Sequence, residues 1–271
     1  MYAQLAQMVE QLISNHQVGG SNPSLGTTIK RSMMNRYQSK LLPLDADTTL
    51  WILDQTNRAL QSQADVQRST QILADQGFAS HFDKVKNWDN LVALYHASIS
   101  VKPDQQVLDI GATYPESVFL PTLHQMGYEN LFSINLGFGP EQIIHGVSYQ
   151  EGDCTATNFP DNFFNLITCL SVIEHGVNVD KFLIESARIL NSGGLLIVST
   201  DYWQDHIDTG DRVAWNVPVK IFTRKELNVM IYRARTLGLH LVSPADLDCQ
   251  DRVVNWIGLD YTFANLVFRK V

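Results

Sequence analysis

From Lys102 onward, short apolar runs alternate with stretches of helical periodicity, and this alternation narrows the architecture more than any other feature. The apolar runs are QVLDIG, NLFSINL, VSYQEGD, FNLITCLSV and LLIVST. Between them lie a helical pattern from about Glu116 to Met126, a short helix or loop before VSYQEGD, and a helix across VDKFLIESARIL that ends at the Gly193-Gly194 turn. A long loop, the helix TRKELNVMIYRARTLG and two late strands, LHLVS and YTFANLVFRK, complete the chain. Strands separated by helices pair in parallel through crossover connections. The expectation is an α/β fold, an open sheet that is mostly parallel, with an antiparallel C-terminal strand and helices on both faces. A continuous apolar strand such as LLIV fits burial on both sides. NWIGLDYTF is expected at a hairpin-like edge of that sheet, with Trp256 in the core.

The first hundred residues carry no strand signal. YAQLAQMVEQLI sets Leu5, Met8, Val9, Leu12 and Ile13 on one helical stripe, and the breaker cluster GGSNPSLG follows. Further helices are expected around residues 27–38, 46–60 and 65–76, and across DNLVALYHASI. The expected division is a helical extension over 1–80 and the sheet domain over 81–271. The extension would pack on that domain, serving as a lid or as the contact of a homodimer.

Composition excludes some functions. The net charge is −8 and no basic run exceeds two residues, so a protein that grips nucleic acid through its phosphates is not expected. No stretch approaches the roughly 20 apolar residues that span a bilayer. Nothing at the N-terminus resembles a signal peptide, and three widely spaced cysteines suggest neither a disulfide framework nor a zinc site. A cytoplasmic protein acting on a small molecule is the expectation, with no metal.

In an open parallel sheet, ligands bind beyond the carboxyl ends of the strands, near the point where strand order reverses. Polar groups gather at each of those exits. They are Asp109 and Gly111 to Ser117, then Asn135-Leu136-Gly137, Gly152-Asp153-Cys154, Leu170 to His175, and Thr200 to Trp203. Any one of them taken alone reads as a turn or helix cap before a ligand contact; the ordered combination carries the weight.

In that order, VLDIGA, EGDCTATNFPDNFFNLITCLSVIEHG and ESARILNSGGLLIVST resemble the class I S-adenosylmethionine-dependent methyltransferases, in their small-molecule, type 11-like branch. The resemblance covers roughly residues 85 to 271 and implies a Rossmann-like sheet with S-adenosyl-L-methionine as cofactor and S-adenosyl-L-homocysteine as product. It implies Asp109 as an acceptor near the amino-acid tail and Gly111 as a point of close backbone approach. Ala112, Thr113 and Ser117 belong to the same loop. By the same resemblance Asn135 would accept from the ribose, and Asp153 from the adenine amino group. Cys154 would offer its backbone amide to the ring, Leu136 and Leu170 would wall it, and Ser171 would be a further cofactor-binding residue.

The departures are specific. Asn135 stands where the family carries Asp or Glu, so a charge-assisted bond gives way to a weaker neutral one. Asn165 replaces the usual Asp in FNLI. The first loop lacks its later glycines and holds Tyr114-Pro115 instead, with Glu116 and Ser117 as caps for the next helix or contacts to the cofactor tail.

A high-pKa hydroxyl acceptor would benefit from a general base, and His175, Glu174, Asp201 and His206 are the candidates. Tyr202, Trp203 and Trp215 would wall the acceptor, and Trp88 would border the cofactor mouth. STDYW to IFTRKEL resembles methyltransferases of glycan and secondary-metabolite pathways, which points to an oxygen of a sugar or similar metabolite. Two other readings compete. One is a catalytically silent, methyltransferase-like interaction module; the other is a dehydrogenase, disfavoured because GATYPE supplies only the first glycine of G-x-G-x-x-G.

Overall fold

The computed structural model describes residues 44–271. The expected helices at residues 2–13 and 27–38 lie outside the described residues. Three helices come first: α1 (Ala46–Asp54), α2 (Gln63–Asp75) and α3 (Lys86–Ser100). Then follow β1 (Gln106–Ile110), α4 (Phe119–Gln125), β2 (Asn130–Asn135), β3 (Gln142–Ile144), β4 (Val147–Glu151) and β5 (Phe164–Leu170). The chain continues through α5 (Val179–Ile189), β6 (Leu190–Trp203), β7 (Val213–Ala214), β8 (Val217–Pro218), β9 (Phe222–Thr223) and α6 (Arg224–Thr236). It ends with β10 (Leu239–Leu241), β11 (Val254–Trp256) and β12 (Leu259–Lys270).

The main sheet runs β10-β12-β6-β5-β1-β2-β4-β3. Pairing is parallel from β6 through β5, β1 and β2 to β4, and antiparallel at β12 with β6, β10 with β12, and β3 with β4. From β1 the chain steps outward to β2 and β4, then returns to β5 on the other side of β1. Strand order therefore reverses between β1 and β5, and the crevice beyond their carboxyl ends is where a ligand fits.

Side chains alternate between two cores, as strand geometry requires. Leu108, Ile110, Ile167, Leu196 and Val198 pack with Phe182 and Leu183 of α5 and Leu227 and Met230 of α6. Val107, Leu131, Leu166, Leu195 and Ile197 pack with Leu91 and Leu94 of α3 and Phe119 and Leu123 of α4. Side chains define the helix starts: Asn178 accepts from Lys181 N–H at α5, and Thr223 and Glu226 form a reciprocal capping box at α6.

Residues 44–100 are bound into this structure. Helix α3 is buried from Asn87 through Ser98. The Asn57 backbone N–H donates to Asn265 Oδ1 at 2.9 Å, its Nδ2 to the Ser243 carbonyl at 2.9 Å, and its Oδ1 accepts from Val267 N–H at 2.6 Å.

Local departures from expectation have local causes. Helix α4 begins at Phe119, not Glu116, because Ser117 Oγ accepts from Thr113 N–H at 2.8 Å and closes the preceding loop on itself. Neither Glu116 nor Ser117 caps that helix, whose N-cap is Val118. The stretch before VSYQEGD is the short strand β3 of a hairpin with β4. Gly193-Gly194 lies in a register shift of β6 against β5, so the turn is a bulge inside one long strand. The loop after β6 contains the β7–β8 hairpin. Trp256 lies in the β11–β12 hairpin and is half-buried. Among the described residues, no helix is long and apolar enough to cross a membrane.

Candidate active site

At the exit of β1, Asp109 is buried and accepts from Thr168 Oγ1 at 2.7 Å. Burial lifts its carboxyl to about 7, against the pull of the Thr168 bond. Gly111 follows in the left-handed region at φ +81, its N–H donating to the Ile134 carbonyl at 2.8 Å. A Cβ at Gly111 would meet Val172 Cγ2 at 2.4 Å, so the neighbour that requires glycine here is a side chain of the loop after β5. Asn135 Nδ2 donates to the Gly111 carbonyl at 3.4 Å and the Ala112 carbonyl at 3.3 Å. Its Oδ1 has no hydrogen-bond partner among the described residues. Ala112 is buried, Thr113 is exposed, and Tyr114 stands edge-on to Tyr149 with centroids 5.8 Å apart.

Beyond β2 and β4, Leu136 is 72% exposed, and Asp153 is exposed with Oδ1 accepting from Thr155 N–H and Oγ1, both at 2.8 Å. Those bonds occupy one carboxylate oxygen. Cys154 is half-buried, and burial pushes its thiol up to about 11, so it is no nucleophile. This loop is tied to α5: Thr157 donates to Glu185 Oε1 from its N–H at 2.8 Å and its hydroxyl at 2.6 Å. The Arg188 bond holds the Glu185 carboxyl down at about 2.

Beyond β5, half-buried Leu170 leads into Ser171, which has φ +55 and a buried hydroxyl with no partner. Glu174 is buried and accepts from Thr200 Oγ1 at 3.0 Å. Burial raises its carboxyl to about 7, with Lys86 opposing. Asp201, at the end of β6, is buried beside it and bonded by the Tyr261 hydroxyl. Burial and then the Glu174 charge raise its carboxyl as well. His175 is half-buried, and its Nδ1 is buried without a partner. Burial lowers its ring to about 4, so it is neutral near pH 7. The exposed Trp215 ring stands edge-on to it at 6.5 Å.

The structure thus brings Asp109, Gly111, Ala112, Asn135 and Ser171 around the switch point, with Glu174, His175, Asp201 and Trp215 as a second group. Two wall residues do not take part. Tyr202 is fully buried and donates its hydroxyl to the Leu247 carbonyl at 2.7 Å, so it is core and not an acceptor wall. Trp88 is also fully buried, its indole N–H donating to Gln55 Oε1 at 3.0 Å, so it borders no mouth. Trp203 is half-buried with the Arg252 guanidinium 4.6 Å from its ring. His206 is exposed in the loop after β6. Sequence reasoning missed Lys86 and Asp89 on α3. The charge of Lys86 bears on Asp89, Glu174, His175 and Asp201. The one signal was a carboxylate, Asp89, at the head of the otherwise apolar DNLVALYHASI.

A model of the family described as "Methyltransferase domain" matches residues 130–198. An uncharacterised methyltransferase of Bacillus subtilis is 27% identical over 107 residues, covering 37% of this chain and 42% of that one. Over this stretch the chain is similar to methyltransferases. A ubiquinone/menaquinone biosynthesis C-methyltransferase of Shewanella pealeana is 30% identical over 111 residues, 37% of this chain and 44% of its own. The match thus spans less than half the length of these curated relatives. Among solved structures, the 4+2-cyclase SpnF superposes with a TM-score of 0.50 at 14% identity, covering 77% of this chain and 93% of that one. That likeness concerns the fold alone.

Proposed function

We propose that this protein transfers the methyl group of S-adenosyl-L-methionine to a small polar acceptor, an oxygen of a sugar or similar secondary metabolite. The observation that carries the reading is the buried Glu174 and Asp201 pair, with His175 beside it, at the same switch point as Asp109 and Asn135. The residues fit the cofactor. Ser171 offers a buried hydroxyl without a partner, Asn135 an amide oxygen opposite the nitrogen that braces the first loop, and Leu136 an exposed apolar surface. When bound, the sulfonium supplies an electrophilic methyl group, and the protein's contribution is alignment and proton handling.

Asp109 and Ser171 would hold the amino-acid tail, with Gly111, Ala112, Thr113 and Ser117 shaping its loop. Asn135 would accept from the ribose. Asp153 and the Cys154 amide would read the adenine between Leu136 and Leu170. On the acceptor side, Trp215 and Trp203 would bound the substrate and His175 would orient its hydroxyl. Glu174, whose carboxyl sits at about 7, is better matched to take a proton near neutrality than His175 at about 4. His206 would enter only from the exposed loop.

One fold hosts many chemistries, and a cyclase shares this one, so binding decides first. Calorimetry of the full chain with S-adenosyl-L-methionine and S-adenosyl-L-homocysteine should show binding well below millimolar. Neither heat nor thermal shift at millimolar ligand would overturn the reading in favour of a silent interaction module. Asp153→Ala should weaken binding by about 1–3 kcal/mol for one charged hydrogen bond.

A further inference from the structure

Asp89 is a carboxylate in the first turn of the buried helix α3, 1% exposed, where a leucine would fill similar space with no desolvation cost. Its Oδ2 accepts from Ser199 Oγ at 2.5 Å. Ser199 Oγ in turn accepts from Ser171 N–H at 3.1 Å, and that same N–H also donates to the Ser199 carbonyl at 3.0 Å. The three groups form a directed chain from α3, across the end of β6, into the first residue of the loop after β5. A serine hydroxyl has one hydrogen. Spending it on Asp89 leaves the lone pairs of Ser199 turned to Ser171.

Ser171 needs such a hold. It is a non-glycine residue at φ +55, a conformation that costs an L-residue about 1–2 kcal/mol. The residue is 9% exposed and its hydroxyl is buried and unpartnered, so the loop is not secured from that side. The next four residues carry Val172, which presses on Gly111, and then Glu174 and His175. A backbone rotation at Ser171 would move all of them together.

We propose that Asp89 is a positioning residue which, through the Ser199 hydroxyl, holds Ser171 left-handed and so fixes the loop that receives both cofactor and acceptor. The role in binding rests on the methyltransferase reading above; the hold on the loop does not. The assay uses the full chain and the variants Ser199→Ala, Asp89→Ala and Asp89→Asn. Amide exchange over residues 171–176 is read without ligand, and S-adenosyl-L-homocysteine affinity is read by calorimetry. Ser199→Ala and Asp89→Ala should speed exchange in that loop selectively and weaken the ligand about tenfold, the order of one net hydrogen bond. Asp89→Asn keeps an accepting oxygen and should recover most of both. If Asp89→Ala fails to fold, Ser199→Ala, which removes a single hydroxyl, still decides.

Wild-type exchange in Ser199→Ala, or acceleration spread evenly over all strands, would overturn the proposal, as would Asp89→Asn behaving like Asp89→Ala. Wild-type protein that binds no ligand would defeat the methyltransferase reading instead, leaving the exchange experiment to judge the hold on the loop.

Discussion

The side-chain amide of Asn135 donates to the Ala112 carbonyl at 3.3 Å, and the same nitrogen lies 3.4 Å from the Gly111 carbonyl. The residue that departs from the family's usual acid is thus the brace of the first loop. An aspartate there could only accept, and would face two carbonyl oxygens. Asn135→Asp, although it restores the common residue, should cost the ligand-free protein about 1–2 kcal/mol for the lost donor. Urea denaturation reads this directly, and unchanged or greater stability would remove the brace from the account.

Gly111 is constrained twice, by φ +81 and by Val172 Cγ2, which lies 2.4 Å from where a Cβ would stand. Gly111→Ala should destabilise by about 2–4 kcal/mol, one part from the left-handed backbone and one from overpacking. Adding Val172→Ala should recover the packing part and leave the backbone part. Full recovery in the double variant would show that the backbone conformation costs nothing.

Asp109 gives stability a pH dependence with a definite sign. Its carboxyl titrates at about 7 in the folded protein, against an ordinary 3.8. The folded state therefore keeps a proton that the unfolded chain has released. That contribution is complete below the unfolded value and is lost as pH rises through about 7. Glu174, also at about 7, acts alike, whereas His96 and His175, lowered to about 4 from 6.5 by burial, lose stability as pH falls through that lower window. The wild-type curve mixes both senses, so the difference against Asp109→Asn is diagnostic. Denaturation across the window from 3.8 to about 7 should show the variant gaining on wild type as pH rises. A constant difference would mean that Asp109 is ionised throughout.

The sheet was legible because LLIVST and FNLITCLSV can be buried on both faces only between helices, and crossover connections then dictate parallel pairing. Exits of strands were legible for the same reason. Side-chain direction was not. In STDYW, period-2 alternation sends Asp201 towards Glu174 and Tyr202 into the core beneath α6, and one residue of register separates the two outcomes. The role of Asp89 escaped because its partner Ser199 lies 110 residues away, a contact only the assembled sheet creates. QEGD and its Asp153 were readable as a strand exit, but the tie from Thr157 to Glu185 depends on where α5 packs.

Trp215 and Asn216 form the two-residue turn between β7 and β8, both left-handed at φ +54 and +63. Such turns favour Asn or Gly, because left-handed backbone crowds the Cβ of most other residues against a carbonyl oxygen. A tryptophan that is 78% exposed in this position gains little from burial, so folding does not explain it. Its ring stands by His175, and Val217 of the same hairpin would lie 3.3 Å from a Cβ at Gly176, which seats the hairpin over the loop after β5. Trp215→Asn should therefore leave stability unchanged or raise it by about 1 kcal/mol as the backbone strain is relieved. In the methyltransferase reading it should also raise the acceptor KM while leaving S-adenosyl-L-homocysteine affinity intact. Thermal denaturation and steady-state kinetics separate the two effects. A marked loss of stability would make Trp215 a folding residue, and an unchanged acceptor KM would remove it from the acceptor wall.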